Sequence, residues 1–304
     1  MNKYSLYILS IIVLLFTSCS AGQEKRVPQE PIKCDILISN GTIYDGSGSK
    51  PYLGSLAIED DKIIYVGENA SFEADTVIDA TGMAVSPGFI NMLSWGYYSL
   101  MDDGRGLSDL KQGVTLEIFG EGTSPGPYWQ DGKFTSFGEA MSDLEENGVS
   151  LNVASFLGAA TTRILEVGYE NRQANSSEMD RMRSHVENSM KEGAMGIGSS
   201  LIYAPGDYAS TEELTELSKV ASKYGGMYIS HLRSEGTNLL EALEELISIS
   251  RDANIPAEIY HLKASREPNW SKLDEVIKRV EEVRGEGLKI TADIYTYNAS
   301  STGL

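Results

Sequence analysis

The amino-acid sequence predicts an α/β protein: a small N-terminal β unit followed by a (β/α)8, TIM-like barrel that is incomplete at its C-terminal end. The length of 304 residues suits one α/β barrel with a small additional unit. Residues 34–86 show short strands and turns without a helical period. After Pro87, seven short apolar runs alternate with amphipathic helices, which is typical of a parallel sheet. A closed barrel needs eight strands, so the chain provides one strand too few.

The first 22 residues are typical of an export signal. Lys3 precedes an apolar run from Leu6 to Phe16, which is shorter than the ~20 residues that a membrane span needs. Small residues and Cys19 follow, which resembles a bacterial lipoprotein signal in which Cys19 is lipidated. A plain secretory signal is the alternative. We therefore predict a signal peptide at residues 1–22, a linker at 23–33 and an exported, periplasmic protein anchored to the membrane only through Cys19.

Composition excludes some partners. The formal net charge of −19 argues against nucleic acid, because a phosphate backbone requires a basic surface. Hydrophobic content of 41% is ordinary for a globular protein. If Cys19 is lipidated, Cys34 is the one remaining cysteine, so no internal disulfide is expected.

Residues 34–86 are predicted to form a partial β-sandwich subdomain. Asn40–Gly41 indicates a turn between two strands. Ile58 and Ile63 flank an acidic turn and indicate a hairpin.

Residues 87–304 are predicted to form the barrel without its last strand. The strand candidates are Gly88–Met92, Val114–Phe119, Ser150–Phe156, Met195–Ser199, Met227–Ser230, Glu258–Tyr260 and Lys289–Asp293. The helix candidates are Gly138–Asn147, Glu178–Lys191, Ser210–Tyr224, Thr237–Ala253 and Ser271–Arg284.

Two of the three histidines follow predicted strands. His231 and His261 each lie where an apolar run ends, 30 residues apart, which is about one αβ unit. Reactive groups of an α/β barrel lie at the C-terminal ends of its strands, and neighbouring parallel strands would aim both imidazoles at one place. This placement favours a pair of histidine ligands to zinc over two buried core histidines. His185 lies within a helix among charged residues and is predicted to face solvent.

Several motifs together resemble the amidohydrolase superfamily, and within it the N-acyl-D-amino-acid deacylase (D-aminoacylase) family. In chain order they are CDILISNGTIYDGSG, VIDATGMAVSPGFIN, SSLIYAPGDYASTEEL, ISHLRSEG, YHLKASREPNW and TADIYTY. The resemblance runs from Cys34 to the C-terminus. It implies a metal-dependent (β/α)8 barrel and zinc-assisted hydrolysis of the amide bond, a carbon–nitrogen non-peptide bond, of an N-acyl-D-amino acid.

The sequence departs from the family at two metal positions. The family has His-x-His after the first barrel strand, where this chain has Leu93 and Trp95. The family has a Cys ligand after the second strand, where this chain has Glu121 nearby, with Glu117 as a second possibility. The resemblance therefore implies one Zn²⁺ per chain, held by Glu121, His231 and His261, with a fourth position open to water.

Other site residues also follow from the resemblance. Lys263 would pair with the substrate carboxylate, and Tyr203 and Tyr295 would line the pocket. Arg233 and Glu235 either orient His231 or pair with each other at the rim.

No catalytic residue is assigned within the chain. The family's general acid and base, an Asp after the eighth strand, would lie beyond residue 304, and Asp293 on the seventh strand does not take that role. We therefore expect a C-terminally truncated sequence, and whether these residues alone are active stays open.

The leading hypothesis is a zinc-dependent hydrolase of N-acyl-D-amino acids or D-residue dipeptides, with this small molecule as its partner. One alternative is another amide hydrolase of the superfamily, dihydroorotase-like or dipeptidase-like. The other is a catalytically inactive, anchored binding protein.

Overall fold

The computed structural model describes residues 30–299, which divide at Pro87 into two compact units. The predicted signal peptide, Cys19 and most of the predicted linker lie outside the described residues. Within residues 30–299, every helix is too short or too polar to cross a lipid bilayer.

The first unit is built on one mixed five-stranded sheet. Its strands are β1 Ile32–Ile43, β2 Tyr52–Glu59, β3 Lys62–Gly67, β4 Phe72–Asp79 and β5 Ala84–Val85. The order is β3-β2-β1-β4, with β5 also pairing with β1. Strand β1 is antiparallel to β2 and parallel to β4. Because the sheet is single within the described residues, a sandwich in this unit stays a prediction.

The two turn predictions in this unit have different outcomes. The hairpin is confirmed, since Ile58 pairs with Ile63 across β2 and β3. The turn at Asn40–Gly41 is wrong, because β1 continues through it. Asn40 has a left-handed φ of 61°, and the pairing with β2 shifts between Ile38 and Gly41. Asn tolerates this conformation, so the same residues that favour a turn make an irregularity within one strand.

The second unit is an α/β unit with parallel strands in chain order. Its strands are β6 Phe89–Asn91, β7 Val114–Phe119, β8 Tyr128–Gln130, β9 Lys133–Thr135, β10 Asn152–Ser155, β11 Leu157–Gly158, β12 Gly196–Ser200, β13 Met227–His231, β14 Ala257–Ile259 and β15 Ile290–Ala292. Sheets β10-β7-β6 and β11-β12-β13-β14-β15 are parallel, and β8 and β9 form a separate hairpin. Met195 N–H donates to the Ser155 carbonyl at 3.0 Å and links the two parallel sheets.

Helices occupy most connections between these strands. They are α1 Tyr97–Asp102, α2 Leu107–Leu110, α3 Phe137–Asn147, α4 Ala159–Glu166, α5 Ser176–Lys191, α6 Thr211–Ser222, α7 Leu239–Ala253 and α8 Lys272–Gly285. Helices α3 and α5 begin with capping boxes at Ser136 and Asn175, and Ser210 caps α6. These side chains accept bonds from otherwise unpaired N–H groups, which fixes where each helix begins.

Strands β11 to β14 of the larger parallel sheet are buried on both faces. On β13, Tyr228 packs in the large cluster that holds α6 and α7, whereas Ile229 packs in a second cluster with Ile118 and Tyr260. Side chains alternate along a strand, so His231 lies on the same side as Ile229. The end of β13 therefore directs this imidazole into the sheet's inner side.

Two glycines allow the segment after β7 to approach β12. A Cβ at Gly198 would overlap the carbonyl oxygen of Gly120, well inside van der Waals contact. Gly120 itself has a left-handed φ of 103° and directly precedes Glu121. The position of Glu121 therefore depends on residue 198 being a glycine, which has no side chain.

We predict that Gly198→Ala lowers the free energy of unfolding by about 1–3 kcal/mol, the usual cost of overfilling a packed site. The measurement is the urea midpoint at constant slope. Gly285→Ala is the matched control, because a Cβ there meets no atom within 4 Å. An equal midpoint for Gly198→Ala and Gly285→Ala would contradict the prediction.

Candidate metal centre

Three residues with metal-binding side chains meet at the C-terminal ends of three parallel strands. Glu121 lies two residues after β7, His231 is the last residue of β13, and His261 lies two residues after β14. Strands β13 and β14 are hydrogen-bonded neighbours, with Ser230 opposite Ile259. The parallel register therefore brings the two histidines to the same edge.

The ligand atoms of Glu121, His231 and His261 all lie within 4.8 Å of one another. Glu121 Oε1 is 3.1 Å from His231 Nδ1 and 3.7 Å from His261 Nε2. The imidazole centroids are 4.4 Å apart and their planes cross at 85°. Glu121 and His231 are buried and His261 is half-buried. Two imidazole nitrogens and one carboxylate oxygen form a donor set that fits zinc.

A second carboxylate, Glu235, lies at the other nitrogens of the same rings. Its Oε1 is 3.0 Å from His261 Nδ1 and 3.6 Å from His231 Nε2. Metal-binding histidines commonly donate their second ring N–H to a carboxylate, which fixes the tautomer. If His261 Nδ1 carries the proton that is shared with Glu235, Nε2 presents its lone pair toward Glu121 and can bind a metal there.

Lys263 lies beside Glu235, and its ammonium group neutralises the charge of this carboxylate. Its Nζ lies 2.5 Å from Glu235 Oε1 and 2.9 Å from His261 Nδ1. It also lies 5.6 Å from the ring centre of Tyr295. A second cation is disfavoured next to this ammonium group, so the Glu121 side of the two rings is the candidate metal position.

Trp95 and Ser200 contact the two oxygens of the Glu121 carboxylate. The Trp95 indole N–H donates to Glu121 Oε2 at 2.8 Å, and Ser200 Oγ lies 3.5 Å from Oε1. Because Oε2 is occupied by the indole, Oε1 is the oxygen that faces the histidines.

The backbone at His261 is held in an unusual conformation. His261 has a φ of 38°, which few residues with a side chain adopt. Its backbone N–H donates to Asp293 Oδ1 at 2.7 Å, from the end of β15. Burial raises the pKa of Asp293 to about 7, although the His261 N–H opposes this. Asp293 therefore positions His261 through a hydrogen bond to its backbone.

The pKa values of the cluster follow from burial and mutual pairing. Burial alone would raise the pKa of Glu121, but hydrogen bonds from His231, His261 and Trp95 lower it to about 2. Burial alone would also raise the pKa of Glu235, but hydrogen bonds from His261 and Lys263 lower it to about 2. Burial would lower the pKa of His261, but bonds to Glu121 and Glu235 outweigh it and raise it to about 9.

Besides the three candidate ligands, the structure places Lys263, Tyr203 and Tyr295 beside the centre. Tyr203 stands edge-on to His231 at 5.7 Å between ring centres, and Tyr295 adjoins Lys263. Glu117, the second possibility for the carboxylate, instead accepts from Ser94 Oγ at 2.6 Å. Arg233 pairs with Glu245 and not with Glu235, and an orienting role of Glu235 at His231 stays a prediction.

The solvent-facing prediction for His185 is wrong. Its Nε2 lies 2.7 Å from Glu166 Oε1, and its side chain is 19% exposed. The neighbouring charges on α5 suggest a polar face, but α4 was not predicted, and its last residue is the partner.

Sequence reasoning missed two contacts of the candidate centre. Trp95 was considered only as a failed metal ligand, although an indole N–H is a hydrogen-bond donor. The contact of Glu235 with His261 was also not predicted. The available signal was its spacing, four residues after His231, in a segment that ends at Gly236.

The candidate centre lies in a chain with clear relatives. It is 30% identical over 285 residues to the D-aminoacylase of Alcaligenes xylosoxydans xylosoxydans and 28% identical over 286 residues to the N-acyl-D-glutamate deacylase of the same organism. Both alignments cover 89% of this chain. The chain is a homologue of the N-acyl-D-amino-acid deacylases. The resemblance inferred from the motifs is confirmed.

Solved structures of this family agree. A D-aminoacylase crystal structure, described as defining a subset of amidohydrolases, matches with a TM-score of 0.79 at 27% identity and covers 87% of this chain. The N-acyl-D-glutamate deacylase of Bordetella bronchiseptica, solved with zinc and a phosphonate inhibitor, matches with a TM-score of 0.78 at 25% identity over 87% of this chain. A D-hydantoinase at 17% identity, with a TM-score of 0.54, shares the fold.

The chain spans about three fifths of these proteins: 59% of the D-aminoacylase, 58% of the Alcaligenes glutamate deacylase and 59% of each of the two deacylase structures. No family model matches it.

We predict that zinc affinity rises with pH up to about 9. Below that value His261 carries a proton that the metal must displace, whereas Glu121 is ionised throughout. The apparent affinity should increase up to about tenfold per pH unit between pH 6 and 8 and level off above the pKa of His261. Chelator-competition titrations measure it, with His185→Ala expected to show the same slope. A flat profile over this range would contradict the prediction.

Proposed function

We propose that the protein hydrolyses the amide bond of N-acyl-D-amino acids to a carboxylate and a free D-amino acid, in a metal-dependent reaction. The observation that carries this proposal is the convergence of Glu121, His231 and His261 in a chain homologous to the deacylases over 89% of its length. D-residue dipeptides offer the same bond and belong to the same substrate class.

The proposed cofactor is one Zn²⁺ per chain, bound by Glu121, His231 and His261. Zinc supplies polarisation of the scissile carbonyl and activation of water. Glu235 orients the imidazole of His261, and Asp293 holds the backbone of the same residue. Lys263 pairs with the substrate carboxylate, and Tyr203 and Tyr295 line the pocket around it.

A single ion is supported by the residues on the outer side of Glu121. Leu93 offers no ligand atom, and Trp95 uses its N–H to occupy Glu121 Oε2. A carboxylate that bridged two metals would need both oxygens. This arrangement therefore favours one metal position on the Oε1 side.

We further propose that residues 87–304 belong to an amidohydrolase (β/α) barrel, and residues 34–86 to a β-sandwich subdomain. Seven parallel strand positions follow one another in chain order, with β10 and β11 sharing one position. After the last described strand, Tyr297 Oη lies 3.2 Å from Gln112 Oε1, just before β7. This contact supports a strand series that curves back toward its beginning.

For localisation, we propose a periplasmic lipoprotein anchored through Cys19, which the order of charged, apolar and small residues before it supports. Cys19→Ser should move the protein from the membrane fraction to the soluble periplasmic fraction and abolish labelling by a palmitate analogue. Cys34→Ser, at the buried thiol, is the matched control and should stay membrane-bound. Membrane association of Cys19→Ser would refute the anchor.

The proposed function predicts that His231→Ala and His261→Ala in the full-length protein each lose zinc and activity. Loss of a ligand should weaken zinc binding by more than the ~10–100-fold typical of an outer hydrogen-bond partner. Zinc per chain is measured by elemental analysis and turnover with paired N-acetyl-D- and N-acetyl-L-leucine. The wild type should hold one equivalent of zinc and hydrolyse the D-substrate.

His185→Ala is the matched control, since this histidine pairs with Glu166 outside the centre. It should retain one zinc and the wild-type rate. A His231→Ala or His261→Ala protein that keeps both zinc and rate would refute the ligand assignment. A wild type that binds zinc without turnover would favour the inactive binding protein.

A further inference from the structure

We infer that an uncharged aromatic cavity beside Glu121 binds the acyl half of the substrate and selects acyl groups larger than acetyl. This inference rests on the proposed function and assigns its specificity. The cavity has a volume of ≈ 510 Å³. That is within the range of about 300–1,000 Å³ for small-molecule sites, and far more than an acetyl group needs.

The walls of the cavity are built from the end of β7, from the segments that follow β6 and β7, and from α4 with the segment after it. The aromatic residues that the argument uses are Trp95, Tyr98, Phe119, Tyr128, Trp129 and Tyr169. Rings pack against an apolar or aromatic guest through offset and edge-to-face contacts. The wall composition therefore suits an aromatic or bulky aliphatic group.

The lining is uncharged, although the chain carries many charges. Among residues 30–299, none that lines this cavity is Asp, Glu, Lys, Arg or His, in a chain that is 23% charged. Two of its hydroxyl groups are already paired: Ser124 Oγ donates to the Gly126 carbonyl at 2.6 Å, and Thr161 Oγ1 accepts from the Ser124 backbone N–H at 2.9 Å. A charged group placed here would be desolvated without a partner, so the cavity favours the acyl chain over a carboxylate.

Three rings of the wall present unusually large surfaces. Tyr98, Trp129 and Tyr169 are 74%, 64% and 70% exposed. Side chains of this size usually bury most of their area, and a group of exposed aromatics around one concavity commonly marks a binding site. A guest in the cavity would cover these surfaces.

The cavity and the basic group lie on opposite sides of the candidate metal centre. Trp95 lines the cavity and also donates to Glu121. Lys263 contacts the far side of the imidazoles, at Glu235 and His261 Nδ1. An N-acyl-D-amino acid has a carboxylate in its amine half and none in its acyl half. With the scissile amide between, Lys263 takes the carboxylate and the cavity takes the acyl group.

The experiment compares substrates that differ only in the acyl group. Full-length zinc enzyme should hydrolyse N-phenylacetyl-D-leucine with a kcat/KM at least tenfold above that for N-acetyl-D-leucine. Trp129→Ala and Tyr169→Ala should each reduce this ratio to near one. Trp270→Ala is the matched control: this Trp is also 64% exposed but lies outside the cavity, and the ratio should remain.

Two outcomes overturn the inference while the proposed function stands. One is an acyl preference that both cavity variants leave unchanged. The other is a preference that follows the amino-acid half, so that Trp129→Ala lowers turnover of N-acetyl-D-phenylalanine relative to N-acetyl-D-leucine and spares the phenylacetyl ratio.

A binding measurement separates the cavity from catalysis. Phenylacetate, the acid released from the larger substrate, should bind the zinc-loaded wild type by equilibrium dialysis and at least tenfold more weakly to Trp129→Ala. If no N-acyl-D-amino acid is hydrolysed, the proposed function fails, and Trp129-dependent phenylacetate binding still supports the cavity. Equal binding by wild type and Trp129→Ala overturns the inference in either case.

Discussion

The candidate centre depends on two imidazoles held between two buried carboxylates. Glu121 faces one nitrogen of each ring and Glu235 lies at the other. Two carboxylates removed from water are costly unless positive charge compensates them. Lys263 provides that charge beside Glu235, and a proton on His261 provides it in the absence of metal. A divalent cation on the Glu121 side would replace this proton, so the arrangement is suited both to orienting the imidazoles and to binding an ion.

The parallel strands place the site residues at the same level of the sheet, and the segments after the strands turn their side chains toward one another. Strands β13 and β14 fix the height of the two histidines through backbone pairing. Left-handed conformations at Gly120 and His261 then turn the chain so that Glu121 and His261 face His231. The absence of a side chain at Gly198 lets the first of these segments lie close to β12. Local backbone geometry at a few residues therefore determines whether three distant segments form one site.

The same division explains what the sequence could predict. Apolar runs and helix caps are local signals, so the order of strands and most helices in the second unit could be predicted, as could both histidines at strand ends. The contacts of Trp95, Glu235 and Asp293 depend on loop conformations that no local pattern encodes. The Asn40–Gly41 error has the same cause, because a left-handed Asn serves equally in a turn and in a strand irregularity. Helix α4 was not predicted because the helix is only eight residues long and most of these residues are uncharged.

Trp95 connects the proposed metal site to the proposed acyl cavity. The indole donates its N–H to Glu121 Oε2, and its ring lines the aromatic cavity. Under the proposed function, this one side chain would occupy the oxygen that a second metal could use and would add apolar wall to the acyl site. A second metal at Oε2 and a large acyl group would compete for the same side of Glu121, so the proposed one-metal centre and the proposed acyl cavity depend on the same residue.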